Sequence, residues 1–310
     1  MSTQEQLENL ISQFKDSWLR SDKHSLAKQF SSDIVFISQH HGSINGQKHV
    51  STTLSEDFKN YATNAEFTNT FTAHQKDFAA ASSYAYVDIN HGQKRFLCGC
   101  TFIFHFVYED QQWLINHIKF QVNWNKGQQS LLPNWNMLPG VQGWQLVDGE
   151  PTIVSELHSP WALIRKFKAA EPKQALIDLY NKYAFAVDNC DINLLIDCYS
   201  QDIHGSFPPL GDLSGRESVI GNLKNFRLLA PFWQHFAELV KMEVSQDKKA
   251  ARFIIARIIP ENPVNDSNQK TYAAHYQLAA RLESDNCWRL YESHYIPGWF
   301  DEQNLPEFII

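Results

Sequence analysis

Two stretches decide the fold when set side by side: LENLISQFKDSWLRSDKHSLAKQFSSDIVF (7–36) and LIDLYNKYAFAVDNCDINLLIDCYSQDIHG (176–205). Without a gap, Leu7, Leu10, Asp22, Leu26, Ser31, Asp33 and Ile34 fall on Leu176, Leu179, Asp191, Leu195, Ser200, Asp202 and Ile203. The register runs on, with Gly46, Val50 and Leu54 on Gly215, Val219 and Leu223, and the pair Trp113 and Trp124 recurs as Trp288 and Trp299. Ordered matches over so long a span mark an internal duplication.

Each copy follows one plan. In the second, Pro172 opens a helix on which Leu176, Leu179, Tyr180, Tyr183 and Val187 recur at helical spacing. Asp191 then reads as the N-cap of a short helix, INLLIDCY, with Asp22 in that position of the first copy. A strand, DIHGSF, follows, and Gly215 introduces a third helix, RESVIGNLKNF. Long strands complete the copy at 235–245, 250–259, 271–284 and 287–296, matched near 66–75, 79–89, 95–108 and 112–124. Helices first and an antiparallel sheet afterwards give an α+β class. The expected domains are residues 1–127 and 172–310, joined by 128–171. The joining segment holds Trp135, Trp144 and Trp161, indoles a solvated tether would not need, so it is expected to be structured and to pack on the domains.

At 310 residues there is room for two cores, and a hydrophobic content of 43% can fill them. A formal charge of −7 gives no electrostatic reason to approach a phosphate backbone, so nucleic acid is not an expected partner. No apolar run reaches the length of a membrane span, and MSTQEQLENL lacks a signal pattern, so no membrane partner is expected either. The five cysteines show no metal-type spacing, and Cys98 and Cys100 share one face of a strand. Reduced thiols and a cytoplasmic location are the expectation.

Helices laid on a curved sheet, with a tryptophan in the final strand, resemble the nuclear transport factor 2-like superfamily. The SnoaL-like and scytalone dehydratase-like branches are the most similar. The resemblance covers both copies, roughly 1–125 and 172–302, and implies two tandem cone-shaped domains. In the second copy, Gln234-His235-Phe236 stands where the scytalone dehydratase type carries its catalytic histidine, and Asp188 where an aspartate orients it. His275 and Gln277 stand at the family's two polar strand positions, and CWRLYESHYIPGW keeps its Trp-to-Trp spacing. The chain departs from the pattern where the family's water-positioning tyrosines fall, at Val187 and Phe207, and near Glu261, where its second histidine falls. The ketosteroid isomerase branch is matched only at Tyr183, its base falling at Ser38 or Phe207.

The duplication lets one copy comment on the other. In this register Asp188 corresponds to Leu19, Gln277 to Phe102, His275 to Cys100, and His235 to Ala65 or Glu66. Alternation puts Ala273, His275, Gln277, Ala279 and Arg281 on one side of their strand, small and polar as a wet pocket would be. The first copy's FLCGCTFIFHFVY is apolar on nearly both sides, so both must be covered. The expectation is an intramolecular pseudo-dimer, with a degenerate, filled pocket in the first copy and an open one in the second. Such a chain would be a monomer or a weak homo-oligomer.

Taken alone, His235 reads as a buried histidine hydrogen-bonded to backbone; its company makes it a site candidate. The reading is a small-molecule pocket in which His235 is the general acid or base, held by Asp188, with His275 as second proton donor or oxyanion partner. Gln277, Tyr183, Phe207 and Trp233 would bind an apolar, cyclic ligand. The chemistry would be dehydration, isomerisation or cyclisation, with no cofactor and no metal. His40 and His41 read as solvated turn residues. The alternatives are a non-catalytic binding protein of the same fold and a scaffold that uses its apolar sheet for partner proteins.

Overall fold

The repeated sequence folds as a repeated structure. The computed structural model describes residues 1–133, 135, 151–165, 167–169, 171–229 and 234–309. The chain divides into two units, Met1–Phe167 and Lys168–Ile310.

In the first unit, α1 (Thr3–Leu19) starts from a capping box of Ser2 and Glu5 and buries Leu7, Leu10, Ile11, Phe14 and Trp18 along one face. Asp22 caps α2 (Lys23–Gln29) by accepting from the Ser25 amide at 3.0 Å. There follow β1 (Phe30–Ser38), β2 (Gly42–Asn45), α3 (Gln47–Glu56), β3 (Ala62–Gln75), β4 (Phe78–His91), β5 (Lys94–Glu109) and β6 (Gln112–Gly127). Two short helices, α4 (Ser155–His158) and α5 (Pro160–Leu163), end the unit. In the second unit, α6 (Pro172–Asp188) has proline in its first turn, and Asp191 caps α7 (Ile192–Cys198) through the Leu194 amide at 3.0 Å. Then come β7 (Tyr199–Ser206), β8 (Asp212–Ser214), α8 (Arg216–Leu229), β9 (Ala237–Val244), β10 (Ala250–Arg257), β11 (Thr271–Leu282) and β12 (Trp288–Asp301). Both ends of α1 and α6 stand 169 residues apart, as the ungapped sequence match requires.

The two sheets have one topology, β2-β1-β6-β5-β4-β3 and β8-β7-β12-β11-β10-β9. Within each, β1 with β6 and β7 with β12 run parallel, and the remaining neighbours run antiparallel. The sheets are therefore mixed, where the strand pattern suggested antiparallel ones. β1 reaches β6 only after a helix and four strands, and a crossover of that length can return the chain in the same direction.

Along β5, Phe102 and Ile103 point to opposite faces and both are buried, as the unalternating run implies. Cys98 and Cys100 are free thiols side by side in the core, 3.7 Å apart. The segment expected to join the copies falls in the first unit through Phe167. Its Trp161 stacks on Phe71 with ring centres 4.5 Å apart, and Ile164 clusters with Phe71, Ala73 and Ala80. Trp135 stacks parallel to Trp18 at 6.2 Å; Trp144 lies outside the described residues. No helix among the described residues is long and apolar enough to cross a membrane.

Gly205 pairs with Ser293 where β7 meets β12, at φ +150°. A Cβ there would stand 1.8 Å from the Ser293 carbonyl oxygen, so the strands must part to admit one. Gly205→Ala is expected to cost about 1–3 kcal/mol or more in urea denaturation. An unchanged midpoint would contradict the close approach.

Candidate functional site

The C-terminal residue of α6 and the approach to β9 are tied by one carboxylate. Asp188 Oδ2 accepts from the His235 backbone amide at 2.8 Å, and Oδ1 pairs with His235 Nδ1 at 2.6 Å. An ionised carboxylate only accepts, so Nδ1 carries the proton and Nε2 keeps its lone pair. The Asp188 side chain is 2% exposed and the His235 side chain 12%. Arg227, from α8, stands 3.6 Å from the same carboxylate.

Burial is the largest influence on His235 and holds its pKa below the ordinary imidazole value; the Asp188 charge works upward against it, and the nearby Arg257 guanidinium adds to the lowering. For Asp188, burial pushes upward, but its contacts with His235 and the charge of Arg227 outweigh that and leave the carboxyl below its usual range. Near neutrality the pair is thus a carboxylate beside a neutral imidazole.

Tyrosines surround this dyad. Tyr183 meets the His235 ring edge to face at 6.1 Å, and its neighbours are Tyr180 at 5.8 Å, Tyr199 at 5.8 Å and Tyr276 at 6.1 Å. Tyr276 in turn packs on Tyr295 of β12 at 5.0 Å. The hydroxyl of Tyr180 is buried facing Arg257 and that of Tyr199 facing Tyr183, and among the described residues no well-aligned hydrogen bond closes on them or on Nε and Nη1 of Arg257. Arg257 is 8% exposed, and its Nη2 donates to the Gln234 carbonyl at 3.3 Å. Each such orphan costs about 1–3 kcal/mol unless water or a ligand meets it. Burial, the leading cause, raises the pKa of Tyr180, Tyr183 and Tyr199 well above the ordinary phenol value, so they remain hydrogen-bond donors.

The first unit has the same ring skeleton without the oxygens. Helix register equates Tyr183 with Phe14 and Tyr199 with Phe30. In the sheets, Tyr276 paired with Tyr295 takes the place of Phe102 paired with Phe120, and Arg257 paired with Ala274 that of Ala85 paired with Cys100. Phe14 meets Phe102 at 5.9 Å and Phe30 at 6.3 Å, with Phe102 on Phe120 at 4.5 Å. Leu19 stands where Asp188 does. The ring network of one interior is hydrocarbon; its duplicate is phenolic and charged.

His275 and Gln277 are not part of this group, which corrects the expectation. Tyr276 between them faces α6, so alternation turns both of them to the other side of β11. There the His275 ring meets Phe300 at 5.5 Å, and burial lowers its pKa. Gln277 clamps the C-terminal segment: its amide donates to the Glu307 carbonyl at 2.9 Å and accepts from the Ile309 amide at 2.8 Å. The cause is a one-residue slip. Tyr108 pairs with Trp113 across the β5–β6 turn, whereas Leu282 pairs with Trp288 across the β11–β12 turn, which is longer by one residue. Counting back from the matched tryptophans placed Gln277 on Phe102; the true partner of Phe102 is Tyr276, and the slip exchanges the faces.

Phe207 is buried just beyond β7, and Trp233 lies outside the described residues. Arg257, Arg227, Tyr180, Tyr199 and Tyr276 were not singled out from the sequence, although Phe14 against Tyr183 and Phe30 against Tyr199 were legible at the ungapped spacing. His40 and His41 are also corrected: they are partly buried against Trp135, Phe120 and Phe36 instead of solvated.

The sequence model of the SnoaL-like domain matches residues 168–294. No curated protein matches the chain. Among solved structures, the hexachlorocyclohexane dehydrochlorinase LinA-type3 from Novosphingobium barchaimii is similar at 12% identity and a TM-score of 0.37, over 41% of this chain and 90% of that one. A protein of unknown function with a cystatin-like fold from Nostoc punctiforme is similar at 16% identity and a TM-score of 0.34, over 39% and 90%.

Two outcomes follow. In a nitrogen-detected NMR titration, His235 Nε2 stays unprotonated at pH 6.5, and Asp188→Asn, which removes the charge that raises the pKa, moves the midpoint lower still. Because both folded pKa values are depressed, the stability from His235 is complete above about pH 6.5 and that from Asp188 above about pH 4. Each is lost as pH falls through the folded value. Separately, Gln277→Ala is expected to cost about 1 kcal/mol and to speed hydrogen exchange at the Ile309 amide while leaving the His235 titration unmoved.

Proposed function

From the premise that residues 168–294 form a SnoaL-like domain, we propose that its interior binds a small cyclic carbonyl compound and performs acid–base chemistry on it without a redox partner. The observation that carries the reading is the buried carboxylate of Asp188 holding His235 by two hydrogen bonds, 2.8 and 2.6 Å, with Nε2 as a free base.

Nε2 takes a proton from the carbon beside the carbonyl. The charge that develops on the carbonyl oxygen meets Arg257 Nε and Nη1 and the phenolic hydroxyls of Tyr180 and Tyr199, donors on which no well-aligned hydrogen bond closes among the described residues. Asp188 stabilises the imidazolium that forms. The imidazolium then returns its proton, to a departing hydroxyl, which leaves as water, or to another carbon of the same ring system. Dehydration and isomerisation balance in this way; in a cyclisation the enolate carbon adds to a second carbonyl of the substrate, its C=O π bond opens to an alkoxide, and the imidazolium protonates that oxygen. Tyr183 and Phe207 supply apolar wall.

Thermal-shift screening against cyclic ketones and enones is expected to find stabilising compounds, and His235→Ala to lower turnover of a responsive compound by about 10²–10⁴-fold. Arg257→Met is expected to weaken binding of ketones more than of the matching hydrocarbons. A domain that binds such compounds yet turns none over, in wild type as in variant, would be a binding protein instead.

A further inference from the structure

The first unit carries a polar cluster of its own, within the aromatic surroundings of Trp18 and Trp135. His41 Nε2 lies 3.0 Å from Asp57 Oδ1, and the ring of His40 lies 4.1 Å from that of His41. One donor atom from each of His40, His41 and Asp57 lies within 4.8 Å of the others. Asp57's side chain is 5% exposed and that of His41 17%.

The atoms turned away from this centre are already held. Asp57 Oδ2 accepts from the Trp18 indole at 2.8 Å, and His41 Nδ1 faces the Ser38 hydroxyl at 3.2 Å. His40 packs on Trp135 at 4.8 Å and on Phe120 at 5.0 Å. Its Nε2 is buried and has no hydrogen-bond partner among the described residues. Partners behind Asp57 and His41 fix which atom of each is presented forward, the arrangement that orients metal-binding imidazoles and carboxylates.

The fold does not require these groups. At the same 169-residue spacing the second unit has Phe207, Pro209, Leu210 and Phe226 in place of Ser38, His40, His41 and Asp57, and it folds to the same topology. A cluster that costs desolvation and has an apolar counterpart in its own duplicate calls for another reason.

We propose that His40, His41 and Asp57 form a three-ligand site for a divalent cation of the zinc class. Imidazole with a carboxylate suits zinc, and tetrahedral ligands at about 2.1 Å stand about 3.4 Å apart, close to the 3.0 Å between His41 and Asp57. The fourth position falls to water.

The test is calorimetric titration of zinc chloride into full-length protein stripped with chelator. One equivalent per chain is expected, with His40→Gln and Asp57→Asn each weakening binding at least tenfold. Exposed His91→Gln should leave it unchanged. Cobalt(II) in place of zinc should give the visible absorption of a tetrahedral ion. His40→Gln removes no hydrogen bond at Nε2, so its fold, checked by circular dichroism, should survive even if Asp57→Asn does not. Absence of binding, or binding that His40→Gln leaves intact, would overturn the site.

Discussion

The second interior depends on a single carboxylate with two tasks. By accepting the backbone amide of His235, Asp188 fixes where the chain enters β9; by accepting Nδ1, it fixes how the ring is turned. Position and tautomer are thus set by the same buried group. The arrangement is possible because Asp188 ends α6, where the helix has delivered its apolar face to the core and the next side chain can reach across. Arg227 balances the charge from the third helix, so three separate parts of the domain converge on one atom pair.

What surrounds that pair is a polar rewriting of a hydrocarbon plan. Phe14, Phe30, Phe102 and Phe120 make a ring network whose geometry recurs in Tyr183, Tyr199, Tyr276 and Tyr295. Adding oxygen to each ring changes little in shape and much in hydration. Ala85 to Arg257 and Leu19 to Asp188 complete the change. A hydrocarbon interior satisfies itself, whereas a phenolic and cationic one leaves donors that something polar has to meet.

Much of this was legible in the sequence, and the misreading has a definite physical origin. Helix positions, caps and the duplication follow from periodicity and from Asp22 and Asp191, which are local signals. His235 with Asp188 followed from the Gln234-His235-Phe236 string and the helix-end aspartate on which the family resemblance rested. His275 and Gln277 failed because they were placed by counting from tryptophans on the far side of a turn, and that turn is longer by one residue in one copy. An insertion at a hairpin tip leaves both strand faces intact, yet any count carried across it changes parity, and in a strand parity is the whole of facing. Partners such as Arg257 reach the site from strands whose alignment needs the sheet pairing itself, which no local spacing supplies.

The indole pair of Trp18 and Trp135 has an optical corollary. Stacked rings in a rigid setting give strong dichroic bands at the red end of the near ultraviolet, while the phenols of the other interior contribute at shorter wavelength. The stacked pair therefore gives the first unit an intrinsic signal of its own, by which events beside it can be followed in the intact chain without a label.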